Sequence, residues 1–241
     1  MCRCARPVRK RNERCPYEMG YNSGGMTAHE EIEQLRALMQ RHCVRFGDFT
    51  LSSGRKSKYY YNGKKITLRP SALRLVGAAL VDVVLASGAD AVGGPELGAV
   101  PIATAVGLAA LGRGRDLPVF VVRKEQKEHG ARDLVVEPYA NEAGDPSGEG
   151  PLVTEGTRLA IVEDAVTTGG SVQKAIDAVE ELGARIVLIA VLVERHEGGG
   201  DGLRSRGYDV LSVFRTNEEG QLHVNQEFVR RLEAAQAAVK P

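Results

Sequence analysis

The segment IVEDAVTTGGS (161–171) joins acidic residues to a glycine-rich turn, at the point where an apolar run meets a helical pattern. Two adjacent carboxylates, Glu163 and Asp164, follow the apolar residues. Glycines in a strand-to-helix turn let consecutive backbone N–H groups converge on a phosphate, and the helix N-terminus adds partial positive charge. Carboxylates beside a phosphate repel it unless they bind sugar hydroxyls or a metal ion. The pattern therefore predicts a site for a phosphorylated sugar, with Mg²⁺ as the expected metal.

The plain alternative is an ordinary capped turn between a strand and a helix, with a solvated acidic pair. Two other phosphate-binding motifs do not fit, because the sequence contains neither G-x-x-x-x-G-K-[ST] nor G-x-G-x-x-G. The acidic pair follows the carboxyl end of a predicted strand, which is where open α/β sheets bind their ligands. This position favours the binding interpretation.

The order of strand, two acids, small linker and T-T-G-G-S resembles the loop that binds phosphoribosyl diphosphate (PRPP) in type I phosphoribosyltransferases. The resemblance implies an open, mainly parallel α/β sheet with helices on both faces, a small N-terminal hood and a long flexible lid loop. Asp164 is then a catalytic residue and a candidate for direct contact with Mg²⁺, which is otherwise held through PRPP and water. The implied PRPP-binding residues are Glu163, Asp164, Ala165, Val166, Thr167, Thr168, Gly169, Gly170 and Ser171.

Basic residues are concentrated in RKEQKEHG (123–130), directly after a β-branched and aromatic run. Taken alone, such a charge cluster is usually a solvated face. Beside a PRPP site, a cationic lid can neutralise the departing pyrophosphate and exclude water. The pattern R-K-E-x-K-x-H-G resembles the lid of orotate phosphoribosyltransferases, in which the lid reaches the active site of the neighbouring subunit. The resemblance implies a homodimer, catalytic roles for Arg123 and Lys127, and PRPP contacts from Arg123, Lys124, Lys127 and His129.

Two further segments resemble the same family. FTLSSGRKSKYYYN (49–62) is similar to the stretch that borders the orotate pocket, which implies that Tyr60 and Tyr61 lie beside the pyrimidine. In LVERHEGG (192–199), Arg195 matches the arginine that meets the orotate carboxylate, for which a planar fork of donors is suited. Thr167 is the remaining implied orotate contact. The plain alternative for the first segment is an edge strand with aromatic packing. For Arg195 it is an arginine on the surface.

The sequence departs from the family at two positions where a lysine is frequent. Ser52 stands at one of them, and Gly98, within GPELGAVP, stands at the other. Both lysines would contact PRPP or pyrophosphate. Ser52, backbone amides near Leu97 and Gly98, and the lid cations are expected to hold that group instead.

The resemblance implies transfer of ribose 5-phosphate from PRPP to orotate, which gives orotidine 5′-phosphate and pyrophosphate in pyrimidine biosynthesis. Two alternatives stay open. One is a non-catalytic sensor of PRPP or nucleotides with this fold, and the other is a purine phosphoribosyltransferase. The nearly balanced charge, 32 basic against 31 acidic side chains, argues against nucleic acid or a membrane surface as partner.

The secondary-structure pattern provides elements that could position these residues. Apolar runs without alternation occur at 91–94, 119–122, 159–162, 186–193 and 210–214, and helical patterns separate most of them. Such runs predict a parallel sheet covered on both faces. Thr27 and Glu30 form a capping-box pair before a first helix, and Pro70 begins another that ends at Gly88. Val135–Val136 and Leu152–Val153 could add a small hairpin in the long connection after residue 122.

The first 25 residues differ from the rest. They hold six basic and two acidic side chains and three of the four cysteines, without a periodic apolar pattern. We expect a disordered basic head at 1–25 and one phosphoribosyltransferase domain at 26–241. Cys43 alone remains in the body, which favours a reducing, cytoplasmic location. The sequence has no run of about 18 apolar residues.

Overall fold

The computed structural model describes residues 26–50, 56–125, 134–138 and 151–239. Within these ranges a seven-stranded sheet has the order β5-β4-β3-β6-β7-β8-β9. Strands β3, β4, β6, β7 and β8 run parallel to one another, whereas the edge strands β5 and β9 pair antiparallel with β4 and β8. The predicted open, mainly parallel sheet is confirmed. Its strands are β3 (Ala91–Pro95), β4 (Val119–Val122), β5 (Val135–Val136), β6 (Arg158–Val166), β7 (Arg185–Glu194), β8 (Val210–Thr216) and β9 (Leu222–Val224).

The central strands are apolar because both of their faces are covered. Along β6, Leu159 and Ile161 pack into one hydrophobic cluster, and Ala160 and Val162 pack into another on the opposite face. All four side chains are fully buried. Because both faces of the strand are buried, apolar and polar residues do not alternate along it, and the sequence shows continuous apolar runs.

Helices cover the two faces of the sheet. The capping box predicted for Thr27 and Glu30 is present at the start of α1, and Pro70 occupies the first turn of α3 as predicted. The helix α3 ends before Gly88, which has a φ of +73°. The helices are α1 (Ala28–Cys43), α2 (Lys64–Thr67), α3 (Pro70–Ala86), α4 (Ala99–Gly112), α5 (Gly170–Glu180), α6 (Gly199–Arg204) and α7 (Gln226–Val239).

An antiparallel hairpin forms the N-terminal hood beside the main sheet. Its strands are β1 (Val44–Thr50) and β2 (Lys56–Tyr61), and they pair with an irregularity between Phe46 and Phe49. The single turn α2 follows β2 and leads into α3. The hood confirms the irregular strand pair predicted for this segment, and the chain from β2 to α2 brings it to the sheet edge described below.

The hairpin predicted in the long connection is wrong. Val135–Val136 instead pairs antiparallel with Val121–Val122 and so extends the main sheet by one strand. Leu152–Val153 does not belong to a strand. The edge of β4 offers unpaired backbone groups, and Val135 buries its side chain there in the same cluster as Phe120. The short elements α2, α6 and β9 were not predicted, because three to six residues are too few to show a periodicity.

The basic head, residues 1–25, lies outside the described residues, so the prediction made for it stays a prediction. Cys43 is a free, buried cysteine, and burial raises the pKa of its thiol to about 12. Among the helices in the described ranges, none combines the length and apolar character needed to cross a membrane.

The close crossing of α3 and α4 depends on a glycine. A Cβ atom added at Gly77 would lie 2.7 Å from the carbonyl oxygen of Ala105. We expect Gly77→Ala to lower the free energy of unfolding by about 1–3 kcal/mol, because overpacking forces the helices apart. Denaturant titration measures the change. Gly202→Ala on α6 is the control, because the space around Gly202 is open. Equal effects of the two substitutions would contradict this account of the crossing.

Candidate active site

The functional residues predicted from sequence gather at one edge of the sheet. Strands β3, β4, β6 and β7 are parallel, so their carboxyl ends meet at that edge. The acidic pair occupies the end of β6, Arg123 follows β4, and Arg195 follows β7. The backbone N–H of Arg195 donates to the carbonyl of Val166 over 2.9 Å. Residues that are far apart in the chain are thereby brought onto one cleft.

The acidic pair is buried although it faces this edge. Glu163 and Asp164 are 6% and 9% exposed, and the backbone N–H of Asp164 donates to Glu163 Oε1 over 2.9 Å. Burial, and then the charge of Asp164, raises the pKa of Glu163 to about 8. Burial thus disfavours two negative charges side by side, and a cation or a hydroxyl donor bound here would lower that cost.

Two glycines allow backbone to pack directly against the acidic pair. A Cβ atom at Gly98 would lie 2.1 Å from Glu163 Oε1, and one at Gly63 would lie 2.8 Å from Asp164 Oδ2. Position 98 therefore has no room for a side chain while Glu163 keeps its place. This contact gives a physical reason for the glycine at the position where the resembled family often has a lysine.

The predicted phosphate loop forms a turn at the start of α5. Gly169 has a φ of +82° and caps the helix, which begins at Gly170. Thr168, Gly170 and Ser171 are exposed. The first backbone N–H groups of a helix have no intrahelical partner, so these amides are open to an anion. By contrast, Val166 is buried in the core, and its carbonyl accepts the hydrogen bond from Arg195.

Sequence reasoning missed the residue that supports the phosphate loop from behind. The backbone N–H of Gly199 donates to the carbonyl of Thr167 over 2.9 Å. A Cβ at Gly199 would lie 2.3 Å from that oxygen and 2.7 Å from the nitrogen of Gly169. The run of three glycines at 198–200 was the available signal, since close approach of two backbones requires glycine.

The base of the lid is tied to the loop after β3. The backbone N–H of Lys124 donates to Glu96 Oε1 over 2.8 Å, and the N–H of Arg123 donates to the carbonyl of Leu134 over 2.8 Å. The segment predicted to form the lid therefore starts at the same edge of the sheet as the acidic pair, with β3 between β4 and β6. The predicted contacts Lys127, His129 and Ser52 lie outside the described residues and stay predictions.

Arg195 lies in a buried polar cluster. Its guanidinium carbon lies 4.6 Å from the centroid of the Tyr59 ring, and Nε donates to the Tyr59 hydroxyl over 3.3 Å. Nη2 lies 2.7 Å from Glu197 Oε1. That contact is poorly aligned as a hydrogen bond, and among the described residues neither Nη2 nor Glu197 Oε2 has an aligned partner. Nη2 is thus held by charge and not by an aligned hydrogen bond.

The three consecutive tyrosines of β2 alternate between the faces of the hood. Tyr59 and Tyr61 are buried, whereas Tyr60 is 43% exposed and packs its ring 5.7 Å from Phe49. The Tyr61 hydroxyl lies 3.5 Å from the carbonyl oxygen of Asp164, and burial raises its pKa well above the ordinary value, so it remains a donor. Tyr59 contacts Arg195 and was missed by sequence reasoning. Alternation along the strand was the signal that could have identified it.

One cation beside the acidic pair was also missed. Lys64, the first residue of α2, places Nζ 3.5 Å from Asp164 Oδ2. Lys64 lies about one hundred residues before the acidic pair in the chain. The ion pair with Asp164 forms only because the hood packs against the sheet, so no local sequence pattern predicts it.

Comparisons with known proteins agree with this geometry. A family model of the phosphoribosyl transferase domain matches residues 62–213. Orotate phosphoribosyltransferase of Thermococcus gammatolerans is 43% identical over 183 residues, which cover 75% of this chain and 87% of that protein. A structure of the Mycobacterium tuberculosis H37Rv orotate phosphoribosyltransferase with Fe(III) dicitrate has a TM-score of 0.64 and 32% identity, covering 79% of this chain and 99% of that chain.

A structure of the same M. tuberculosis enzyme in complex with PRPP has a TM-score of 0.60 and 30% identity, and it covers 78% of this chain and 98% of that chain. The domain model, the sequence relatives and the solved structures all point to one enzyme family. The chain belongs to the phosphoribosyltransferase family and, within it, to the orotate phosphoribosyltransferases.

Proposed function

We propose that this chain transfers the ribose 5-phosphate group of PRPP to orotate at the sheet edge described above, giving orotidine 5′-phosphate and pyrophosphate. The observation that carries the proposal is the placement of a buried acidic pair two residues before the T-T-G-G-S turn at the start of α5, in which Thr168, Gly170 and Ser171 are exposed. A carboxylate pair suits ribose hydroxyls, and the turn suits a phosphate. Together they fit the two halves of ribose 5-phosphate.

The 5′-phosphate is held by the turn from Thr167 to Ser171. Its oxygens accept hydrogen bonds from the amides at the start of α5 and from the hydroxyls of Thr168 and Ser171. Gly199 supports this turn through the carbonyl of Thr167 and so fixes its shape. A fixed phosphate fixes C1 of the ribose, so that the orotate nitrogen can approach it in line with the leaving group.

Glu163 and Asp164 bind the ribose hydroxyls and would hold a Mg²⁺ ion. Carboxylate oxygens are hard ligands of the kind that Mg²⁺ prefers. When bound, Mg²⁺ stabilises the charge that develops on the pyrophosphate. Among the described residues, no group of three or more His, Cys, Asp and Glu side chains is placed to hold a metal. A bound cation would also favour the ionised form of Glu163.

The lid supplies positive charge when the bond from C1 to pyrophosphate breaks. Arg123 and Lys124 start the lid beside Glu96, and Lys127 and His129 follow in the sequence. Lys127 acts mainly in the transition state, because the leaving group gains negative charge there. No general base is needed, because the orotate ring nitrogen can react as an anion. No covalent nucleophile is required either.

Orotate binds between Arg195, Thr167 and the hood tyrosines. The carboxylate of orotate binds the guanidinium of Arg195, which lies over the Tyr59 ring and is ion-paired with Glu197. Tyr61 lies at the acidic pair and so near the reacting end of the pyrimidine. The placement of Tyr60 on the exposed face of the hairpin does not support the contact predicted for it within one subunit.

The chain acts as a cytoplasmic homodimer in this proposal. Exposed leucines before and along α4 support a subunit contact on this helix, since Leu97, Leu108 and Leu111 are 56%, 47% and 50% exposed. Leu97 precedes the helix, whereas Leu108 and Leu111 lie in its last turns. Exposed apolar side chains often mark an interface, and a contact at the Leu97 end would lie at the sheet edge that carries the acidic pair.

A steady-state assay with PRPP, Mg²⁺ and a panel of bases tests the function. We expect pyrophosphate release with orotate and none with adenine, guanine or hypoxanthine. Purine-dependent release would identify a purine enzyme. Tight PRPP binding without release from any base would identify a sensor.

Arg195→Ala should mainly raise the KM for orotate, because the arginine meets the carboxylate in ground and transition states alike. Lys127→Ala should mainly lower kcat, by about 10²–10³ for a lost preorganised donor. Initial-rate kinetics with each substrate varied separately measure both effects. An unchanged orotate KM in Arg195→Ala, or full turnover in Lys127→Ala, would show that the pyrimidine or the pyrophosphate binds elsewhere.

Mixing two inactive variants tests the lid in trans. Lys127→Ala and Asp164→Ala subunits should complement each other, because a mixed dimer holds one site with both groups intact. Random exchange should restore about a quarter of the wild-type activity, since half of the dimers are mixed and each has one working site of two. Subunit exchange is confirmed separately with tagged chains. Mixtures as inactive as their parents would show that the lid acts within its own subunit.

A further inference from the structure

Lys64 is a cation that lies beside the acidic pair, directly after the hood. Gly63 lets the backbone after β2 approach Asp164 closely, and the next residue then directs its amine to Asp164 Oδ2 at 3.5 Å. The backbone N–H of Lys64 donates to the side-chain oxygen of Asn62 over 3.2 Å, which fixes the start of α2. The approach is therefore set by local backbone geometry as well as by charge.

The surroundings of Lys64 leave its amine available to a ligand. Its side chain is 45% exposed, whereas that of Asp164 is 12% exposed. An ammonium group has three donors, and at 3.5 Å the contact with Asp164 is loose. An exposed ion pair of this kind adds little to folding stability. A stabilising role for the pair therefore explains the arrangement poorly, and a binding role explains it better.

The loop after β3 has no room for a cation at the corresponding place. The Cβ atom of any side chain at position 98 would meet Glu163 Oε1 at 2.1 Å. PRPP nevertheless carries its pyrophosphate on C1, close to the ribose hydroxyls that the acidic pair binds. A multiply charged anion next to two carboxylates needs a compensating positive charge.

We infer that Lys64 binds the pyrophosphate group of PRPP and supplies, from the hood, the cation that the loop at Gly98 lacks. The inference rests on the proposed function, because it assumes that PRPP occupies the acidic pair and the phosphate loop. The amine exchanges its loose contact with Asp164 for pyrophosphate oxygens, while Asp164 turns to the ribose and Mg²⁺. Lys64 thereby contributes to PRPP affinity and not to the selection of the base.

Lys65 provides a matched control. It is the next residue, carries the same charge, and is exposed on the same helical turn. Its side chain instead lines a separate cavity of about 1110 Å³ between α1 and the start of α3, together with Arg41, Arg45 and Arg69. A loss of general surface charge near the hood would affect both lysines, whereas binding of pyrophosphate would affect only Lys64.

The experiment compares wild type, Lys64→Ala, Lys64→Arg and Lys65→Ala. Calorimetry in Mg²⁺ measures the affinity for pyrophosphate and, separately, for ribose 5-phosphate, and initial rates give the KM for PRPP and orotate. We expect Lys64→Ala to weaken pyrophosphate binding and raise the PRPP KM about 10- to 100-fold, the range for a lost charge-assisted hydrogen bond. The affinity for ribose 5-phosphate and the orotate KM should stay unchanged. Lys64→Arg should recover part of the loss, and Lys65→Ala should match wild type.

Other outcomes would overturn the inference. Equal loss of pyrophosphate and ribose 5-phosphate affinity in Lys64→Ala, or unchanged affinity for both, would show that Lys64 does not bind pyrophosphate. A lowered melting temperature in Lys64→Ala with no recovery in Lys64→Arg would make Lys64 a structural residue. If the wild-type chain releases no pyrophosphate from PRPP with orotate, the proposed function fails first, which separates that failure from a failure at Lys64.

Discussion

The burial of two adjacent carboxyl groups at the end of β6 is the constraint on which the site depends. Burial and the charge of Asp164 raise the pKa of Glu163 to about 8, so the pair favours positive charge and hydroxyl donors next to it. A sugar with Mg²⁺ satisfies both preferences. The same pair would repel a bare phosphate, and the phosphate loop is accordingly displaced along the chain to the start of α5.

The constraint extends to the backbone around the pair. Gly63 and Gly98 reach the carboxylates from the hood and from the loop after β3, and neither position can hold a side chain without moving an acid. Close packing of backbone on both sides leaves little space for further side chains beside the carboxyl groups. Among the described residues, Lys64 brings a cation to the pair, 3.5 Å from Asp164. In the proposed function, Arg123 and the metal would add further positive charge.

The sequence predicted what depends on local pattern. Continuous apolar runs identified the main strands, because a strand buried on both faces is apolar along its whole length. The residues T-T-G-G-S identified the turn. The contacts of Tyr59, Lys64 and Gly199 were not predicted, since each depends on segments distant in the chain. The strand Val135–Val136 was assigned the wrong partner for a related reason: pairing is decided by which sheet edge is free.

The division between acids on the sheet and cations on the periphery has a mechanistic consequence. The ribose and its phosphate stay bound to rigid elements throughout the reaction, whereas pyrophosphate must leave. Groups that hold pyrophosphate are best placed on segments outside the sheet, where they can follow the leaving group as its charge grows and then release it. Lys64, on a single turn between the hood and α3, and Arg123, directly after β4, are both placed outside the sheet in this way. Gly98, by contrast, brings backbone and no cation against the acidic pair.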